Sequence, residues 1–164
     1  MSEFISNLKN ILYDKTDSKP AGALTYVVWA LISCVLAIAL TYVFNITGLT
    51  ENEAFQEASD SLMSVSNNVL LMVLLYCVVT PLFEEIIFRF IIFAVIYRIS
   101  KNPVISVVAT AVLFGLYHLN PVQMLYGFLM GLLITYCYYR YRRLSLAFLM
   151  HAVANMVGLF YTLI

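Results

Sequence analysis

From Leu24 to Phe44 the chain runs without a charged side chain. A bilayer core about 30 Å thick needs about 20 mostly apolar residues in a helix to cross it, and this run meets that length. Residues 103–118, 122–139 and 145–164 are three more stretches without Asp, Glu, Lys or Arg. Hydrophobic residues make up 63% of the 164 positions and charged residues 11%. A soluble domain of this size has no means of hiding so much apolar surface. Formal net charge is zero and there is no long basic run, so nothing offers an electrostatic footprint for nucleic acid. The sequence therefore predicts an all-α polytopic membrane bundle in the lipid bilayer of the cell membrane. The first apolar run starts too late and is too long for a cleaved signal, so it is expected to remain as a span. Cys34, Cys77 and Cys137 lie inside apolar runs without ligand spacing and read as packing residues.

One further piece, 68–99, is apolar except for Glu84, Glu85, Arg89 and Arg98, and has Pro81 near its middle. It is either one long kinked helix or a hairpin. Short cytoplasmic loops carry the excess of Lys and Arg, which favours the single helix. With Lys9, Lys15 and Lys19 inside, the acidic loop holding Glu51, Glu53, Glu57 and Asp60 falls outside. Arg98 and Lys101 then fall inside, the turn at Pro121 outside, and Arg140, Arg142 and Arg143 inside. The expectation is about five transmembrane helices, one of them long and kinked near Pro81, with the N-terminus cytoplasmic and the C-terminus outside.

The expected organisation is a cytoplasmic segment over residues 1–20 and a single transmembrane domain over 24–164, with an extracellular loop at 45–67 and the functional core at 68–164. Phe4, Ile5, Leu8, Ile11 and Leu12 have helical spacing and suggest a short interfacial helix. In the outer loop, Thr50 and Glu53 have capping-box spacing ahead of Phe55, Ala58 and Leu62, which suggests a small amphipathic helix. Gly127 and Gly131 form a small-xxx-small step, read as close helix packing.

Ionisable groups inside spans cost about 2.5–3.5 kcal/mol each to insert on the translocon scale, and here they fall on three helices. Glu85 and Arg89 are four apart and face one another on one helix side; Glu84 is rotated about 100° away and lacks that partner. His118 follows Phe114 by one turn at the end of an apolar run. His151 and Asn155 are four apart on one face of the last run. Taken singly, a structural ion pair, a helix-end histidine and interhelical hydrogen bonds account for the three groups. Taken together, one carboxylate and two imidazoles from three helices are equipment for activating water and stabilising an oxyanion.

Glu84-Glu85-x-x-x-Arg89, Phe114-x-x-x-His118 and His151-x-x-x-Asn155 resemble, in type, spacing and order, the three motifs of the CPBP family of CAAX proteases and bacteriocin-processing or abortive-infection proteins. The likeness runs from about residue 68 to the end. It implies an intramembrane endopeptidase acting on a membrane-anchored peptide or protein, of prenylated CAAX or bacteriocin-related type. By that resemblance Glu84 is the general base on a water also held by His118, His151 and Asn155 stabilise the oxyanion, and Glu85 and Arg89 orient and neutralise the site, with Phe114 packing beside it. Glu84, His118 and His151 would also supply three zinc ligands, but no His-Glu-x-x-His helix is present, and a metal-free mechanism is slightly preferred. The rival readings are a small transporter or ion relay and a non-catalytic bacteriocin-immunity protein.

One difficulty belongs to this topology. At 1.5 Å per residue, Glu84 and His118 lie about 22 Å from the inner helix ends but His151 only about 9 Å. Tilt, a kink at Pro81 or a turn at 119–121 held within the membrane is needed to bring them together.

Overall fold

The structure is a computed structural model that describes residues 18–65 and 68–163; the interfacial helix expected near Phe4–Leu12 lies outside these. Helix α1 spans Ala23–Ile46, and a 3₁₀ turn at Leu49–Glu51 leads into α2, Glu53–Ser64. Helix α3 runs without a break over Val69–Ser100, followed by α4 at Pro103–Tyr117, α5 at Pro121–Tyr141 and α6 at Leu144–Leu163. Among the described residues there are no strands. Helices α1, α3, α5 and α6 are long and apolar enough to cross a membrane, and α4 is a shorter apolar helix. The molecule is a helical membrane bundle, and residues 68–99 form one helix, not a hairpin.

Local chemistry sets the boundaries. Asn102 and Asn120 each precede a proline and cap the following helix: Asn102 Oδ1 accepts from the N–H of Val104 and Ile105 at 2.9 and 3.2 Å, and Asn120 Oδ1 from Val122 and Gln123 at 3.0 and 3.1 Å. Proline suits the first helical turn, where its missing N–H removes an otherwise unsatisfied donor. Helix α2 exists as the sequence expects, but its cap is Asn52, whose Oδ1 accepts from Ala54 N at 3.1 Å; Thr50 is taken up in the preceding 3₁₀ turn and is buried.

Pro81 leaves its mark in backbone register. Leu74–Val79 and Ile86–Ile92 are π-helical, on either side of the α-helical turn Thr80–Glu85. Thr80 N–H reaches back five residues to the Leu75 carbonyl, and Phe93 N–H to that of Phe88. In this wider register the Tyr76 carbonyl would pair with the N–H of residue 81, which as proline has none.

The packing is tightest between α4 and α5, where Gly115, Gly127 and Gly131 let the backbones approach: a Cβ on Gly115 would stand 2.7 Å from the Met124 carbonyl oxygen. Charge separates along the bundle axis. Lys19, Arg98, Lys101, Arg140, Arg142 and Arg143 lie at one end, where the backbone N–H of Lys19 donates to Arg140 O at 2.9 Å; Glu51, Glu53, Glu57 and Asp60 lie at the other. Aromatic rings gather at the basic end: Trp29 lies 6.0 Å from Tyr141, and Arg142 stacks over Phe93 and Tyr97 at 4.9 and 4.7 Å. Such belts mark membrane interfaces.

The depth difficulty does not arise in the assembled bundle. His151 stands against Glu84, Glu85 and Phe114, so α6 is placed with this residue at the level of the α3 carboxylates, and the Arg142 guanidinium ahead of α6 lies over Phe93 and Tyr97.

Candidate active site

The three groups singled out in the sequence meet inside the bundle. From α3, Glu85 and Arg89 form the expected ion pair, with Oε2 to Nε 3.1 Å and both side chains fully buried. From α6, His151 Nδ1 stands 2.8 Å from Glu85 Oε1 and Nε2 3.4 Å from Glu84 Oε2. A carboxylate oxygen accepts, so Nδ1 carries the hydrogen. Glu84, which the helical-wheel argument leaves without a partner on its own helix, finds one on another. Arg89 also lies over the Phe114 ring, 4.3 Å from its centroid, a cation–π contact that serves the guanidinium face.

Phe114 is the spacer of the site. Its ring meets Phe88 at 5.1 Å, His118 at 5.1 Å and His151 at 5.4 Å, each close to perpendicular. His118 closes the last turn of α4 and its Nδ1 lies 2.9 Å from the Phe114 carbonyl oxygen. A carbonyl only accepts, so Nδ1 is the donor, and in the neutral ring Nε2 is left with its lone pair. The next residue, Leu119, is left-handed at φ 58°, a conformation costing about 1–2 kcal/mol for a non-glycine residue, so the chain turns sharply beside the imidazole.

The glycine step of α5 takes on a sharper meaning here. A Cβ on Gly127 would stand 3.2 Å from His118 Nδ1 and Cε1, and one on Gly131 would stand 3.1 Å from the Phe114 ring. Close packing is what the sequence suggests; what the space admits is the two rings of the site.

A cavity of about 320 Å³ opens against these groups. Glu84 and Thr80 of α3, His118, Gln123 of α5 and Asn155 of α6 contribute to its wall, and the end of α1 together with Phe55 and Ser59 of α2 covers it toward the acidic end. Among the described lining residues Glu84 is the one carboxylate. His151 sits behind it, 5% exposed. Asn155 Nδ2 donates to the Tyr76 carbonyl at 2.7 Å, the group that Pro81 deprives of a backbone partner, which leaves one amide hydrogen free. Residues 76, 123 and 127 were not legible as site residues, although Pro81 standing five places after Tyr76 is a signal for the first.

The zinc set of Glu84, His118 and His151 does not assemble. Among the described residues no three His, Cys, Asp or Glu side chains are placed to hold a metal ion, and both ring nitrogens of His151 are turned to carboxylates.

The fold defines a polytopic helical membrane protein with a buried carboxylate–imidazole cluster in its interior. Residues 66–157 match the family model described as type II CAAX prenyl endopeptidase, Rce1-like, and the chain belongs to that family. It is 31% identical over 114 residues to "Putative membrane peptidase YdiL" of Bacillus subtilis (strain 168), covering 70% of this chain and 44% of that protein. It is 27% identical over 126 residues to "UPF0177 protein YbdI" of Lactococcus lactis subsp. lactis (strain IL1403), covering 76% of this chain and 65% of that one. The chain thus spans less than two thirds of the length of either relative. No solved structure matches it.

Proposed function

We propose that the chain is an intramembrane endopeptidase that cleaves a membrane-anchored peptide or protein by general-base activation of water, without a metal. The observation that carries this reading is Glu84 on the wall of a cavity within the bundle, with His118 on the same wall. A water there donates one hydrogen to the Glu84 carboxylate and the other to His118 Nε2, the ring nitrogen left as an acceptor. Its oxygen attacks the peptide carbonyl carbon, the free N–H of Asn155 meets the oxyanion, and Glu84 returns its proton to the leaving nitrogen. Glu85 and Arg89, fully buried against one another, hold the cluster in place.

The segregation of cations and carboxylates to opposite ends supports a cytoplasmic basic end, with the C-terminus outside. It would open the cavity toward the outer face. Family membership favours a processed substrate of prenylated CAAX type, and bacteriocin-related peptides are the second class to try.

The test is hydrolysis of fluorogenic transmembrane and prenylated peptides by purified protein in nanodiscs. Turnover by the wild type and its loss in Glu84→Gln and His118→Ala are expected. Equal rates in all three, or none in the wild type, would overturn the peptidase reading in favour of an ion relay or a non-catalytic role. Zinc bound stoichiometrically to the active protein would overturn the metal-free step.

A further inference from the structure

The cavity is roofed by a helix too short to be a span. Phe55 and Ser59 of α2 line it, with Thr50 in the turn before them, and all three precede the residues 66–157 that match the family. Helix α2 exposes Glu53, Glu57 and Asp60, and none of its described side chains is fully buried. An element with so little buried surface opens at low free energy. We propose that α2 is a lid on the cavity, latched by Asn120, and that a membrane-anchored peptide enters by breaking that latch. The lid rests on contacts alone; the passage of a peptide beneath it rests on the peptidase reading above.

The two ends of α2 are held differently. At its far end Met63 packs against the cluster of Met72, Cys77 and Leu159, which gives the helix a pivot. Near its start the tie is polar: Asn120 Nδ2 donates to the Ala54 carbonyl, while Asn120 Oδ1 accepts from Val122 and Gln123 N–H and caps α5. Asn120 is 8% exposed and stands two residues after His118, whose carbonyl accepts from its backbone N–H at 2.7 Å. The turn that carries the imidazole therefore also holds the lid. Ahead of the latch, Gly48 is left-handed at φ 73°, and a Cβ there would meet only Glu51 Oε2, at 3.9 Å. A glycine in open space lets the chain swing at that point. At about 320 Å³ the cavity is at the small end of the range of about 300–1,000 Å³ for ligand sites, so an extended peptide has to lift the roof. One hydrogen bond between neutral groups weights the closed state by about 3–10-fold, a bias that peptide binding overcomes.

Asn120→Asp separates the latch from the cap. Aspartate caps a helix as well as asparagine does, so α5 keeps its start, but a carboxylate has no N–H to give to Ala54. Opening is read from a cysteine placed at Gly158, which lines the cavity and where an added Cβ meets nothing within 4 Å. Its rate of labelling by a bulky water-soluble maleimide is measured on the full chain in nanodiscs, with the chain carrying only Cys34, Cys77 and Cys137 as the blank. Adding Asn120→Asp should raise that rate by about 3–10-fold with the melting temperature unchanged. Asn102→Asp is the control, since Asn102 caps α4 in the same way, and it should leave labelling as it was. No rise in Asn120→Asp, or an equal rise in Asn102→Asp, would overturn the latch. Should Asn120→Asp not fold, Asn120→Ser keeps a capping oxygen on a shorter side chain and gives the same comparison. Cleavage of a fluorogenic transmembrane peptide, without the added cysteine, tests the entry route. Where the open form is the one that binds, KM falls in Asn120→Asp by the same factor as labelling rises, and an unchanged KM would overturn passage beneath α2. Labelling needs no turnover, so a wild type that cleaves nothing refutes the peptidase reading and the entry route, while the labelling rates still decide the latch.

Discussion

Gly127→Ala probes how firmly His118 is held. The added Cβ would stand 3.2 Å from His118 Nδ1 and Cε1, inside the ordinary contact distance of about 3.5–4.0 Å, so the ring must retreat by a few tenths of an ångström. Its freedom to do so is small: Nδ1 is bonded to the Phe114 carbonyl at 2.9 Å, and the ring packs perpendicular to Phe114 and Tyr117 at 5.1 and 5.6 Å. For stability two effects oppose each other. Alanine is better than glycine in a helix interior by about 1 kcal/mol, and overpacking costs about 1–3 kcal/mol, so the net destabilisation is about 0–2 kcal/mol. For turnover nothing opposes the displacement, and under the proposed mechanism, in which His118 holds the attacking water, misplacing it costs about 10–100-fold, or roughly 1.4–2.7 kcal/mol of barrier. The measurement pairs thermal unfolding in detergent with cleavage of a fluorogenic transmembrane peptide. Gly158→Ala is the control, since a Cβ there meets nothing within 4 Å. Wild-type turnover in Gly127→Ala, or an equal loss in Gly158→Ala, would refute the argument that this glycine keeps room for the imidazole.

Gly158→Phe places a ring in the cavity whose wall Gly158 helps to form; cleavage should be abolished and the melting temperature left close to wild type. Glu85→Gln strands the Arg89 guanidinium in a fully buried position, which should cost about 3–5 kcal/mol; adding Arg89→Leu should recover much of that stability in thermal melts and none of the activity. Asn102→Ala removes the acceptor for the first N–H groups of α4 and should lower stability by about 1 kcal/mol without changing KM.

Much of the architecture was legible because a bilayer imposes strict rules on the chain. Uncharged runs of span length gave the helices, and the placement of Arg98 and Lys101 argued correctly for one helix through Pro81. The Glu85–Arg89 pair followed from four-residue spacing alone. What the sequence did not reveal depends on relations between helices. The depth at which α6 sets His151 against α3 and α4 follows from contacts between helices, and no count along a single helix contains it. Nor does spacing tell which nitrogen of an imidazole meets which oxygen. His151 and Asn155 share a face, as their four-residue separation requires, yet one turns to two carboxylates and the other gives an amide hydrogen to a backbone carbonyl. The second of these was within reach, since a proline in a span must orphan some carbonyl that another helix then serves.

The wide turns on either side of Thr80–Glu85 act as a phase setting for α3. Each residue of an ordinary helix turns the chain by about 100°, so losing a single residue from the α-helical stretch between Thr80 and Phe83 would swing Glu84 and Glu85 relative to Met72 by roughly a quarter of a circle. The acidic connection between α1 and α3 carries no such angular information, and changes of length there leave the carboxylates aimed as before. Chain length is therefore rigidly constrained in a stretch of helix that looks, residue by residue, like ordinary lipid-soluble filler.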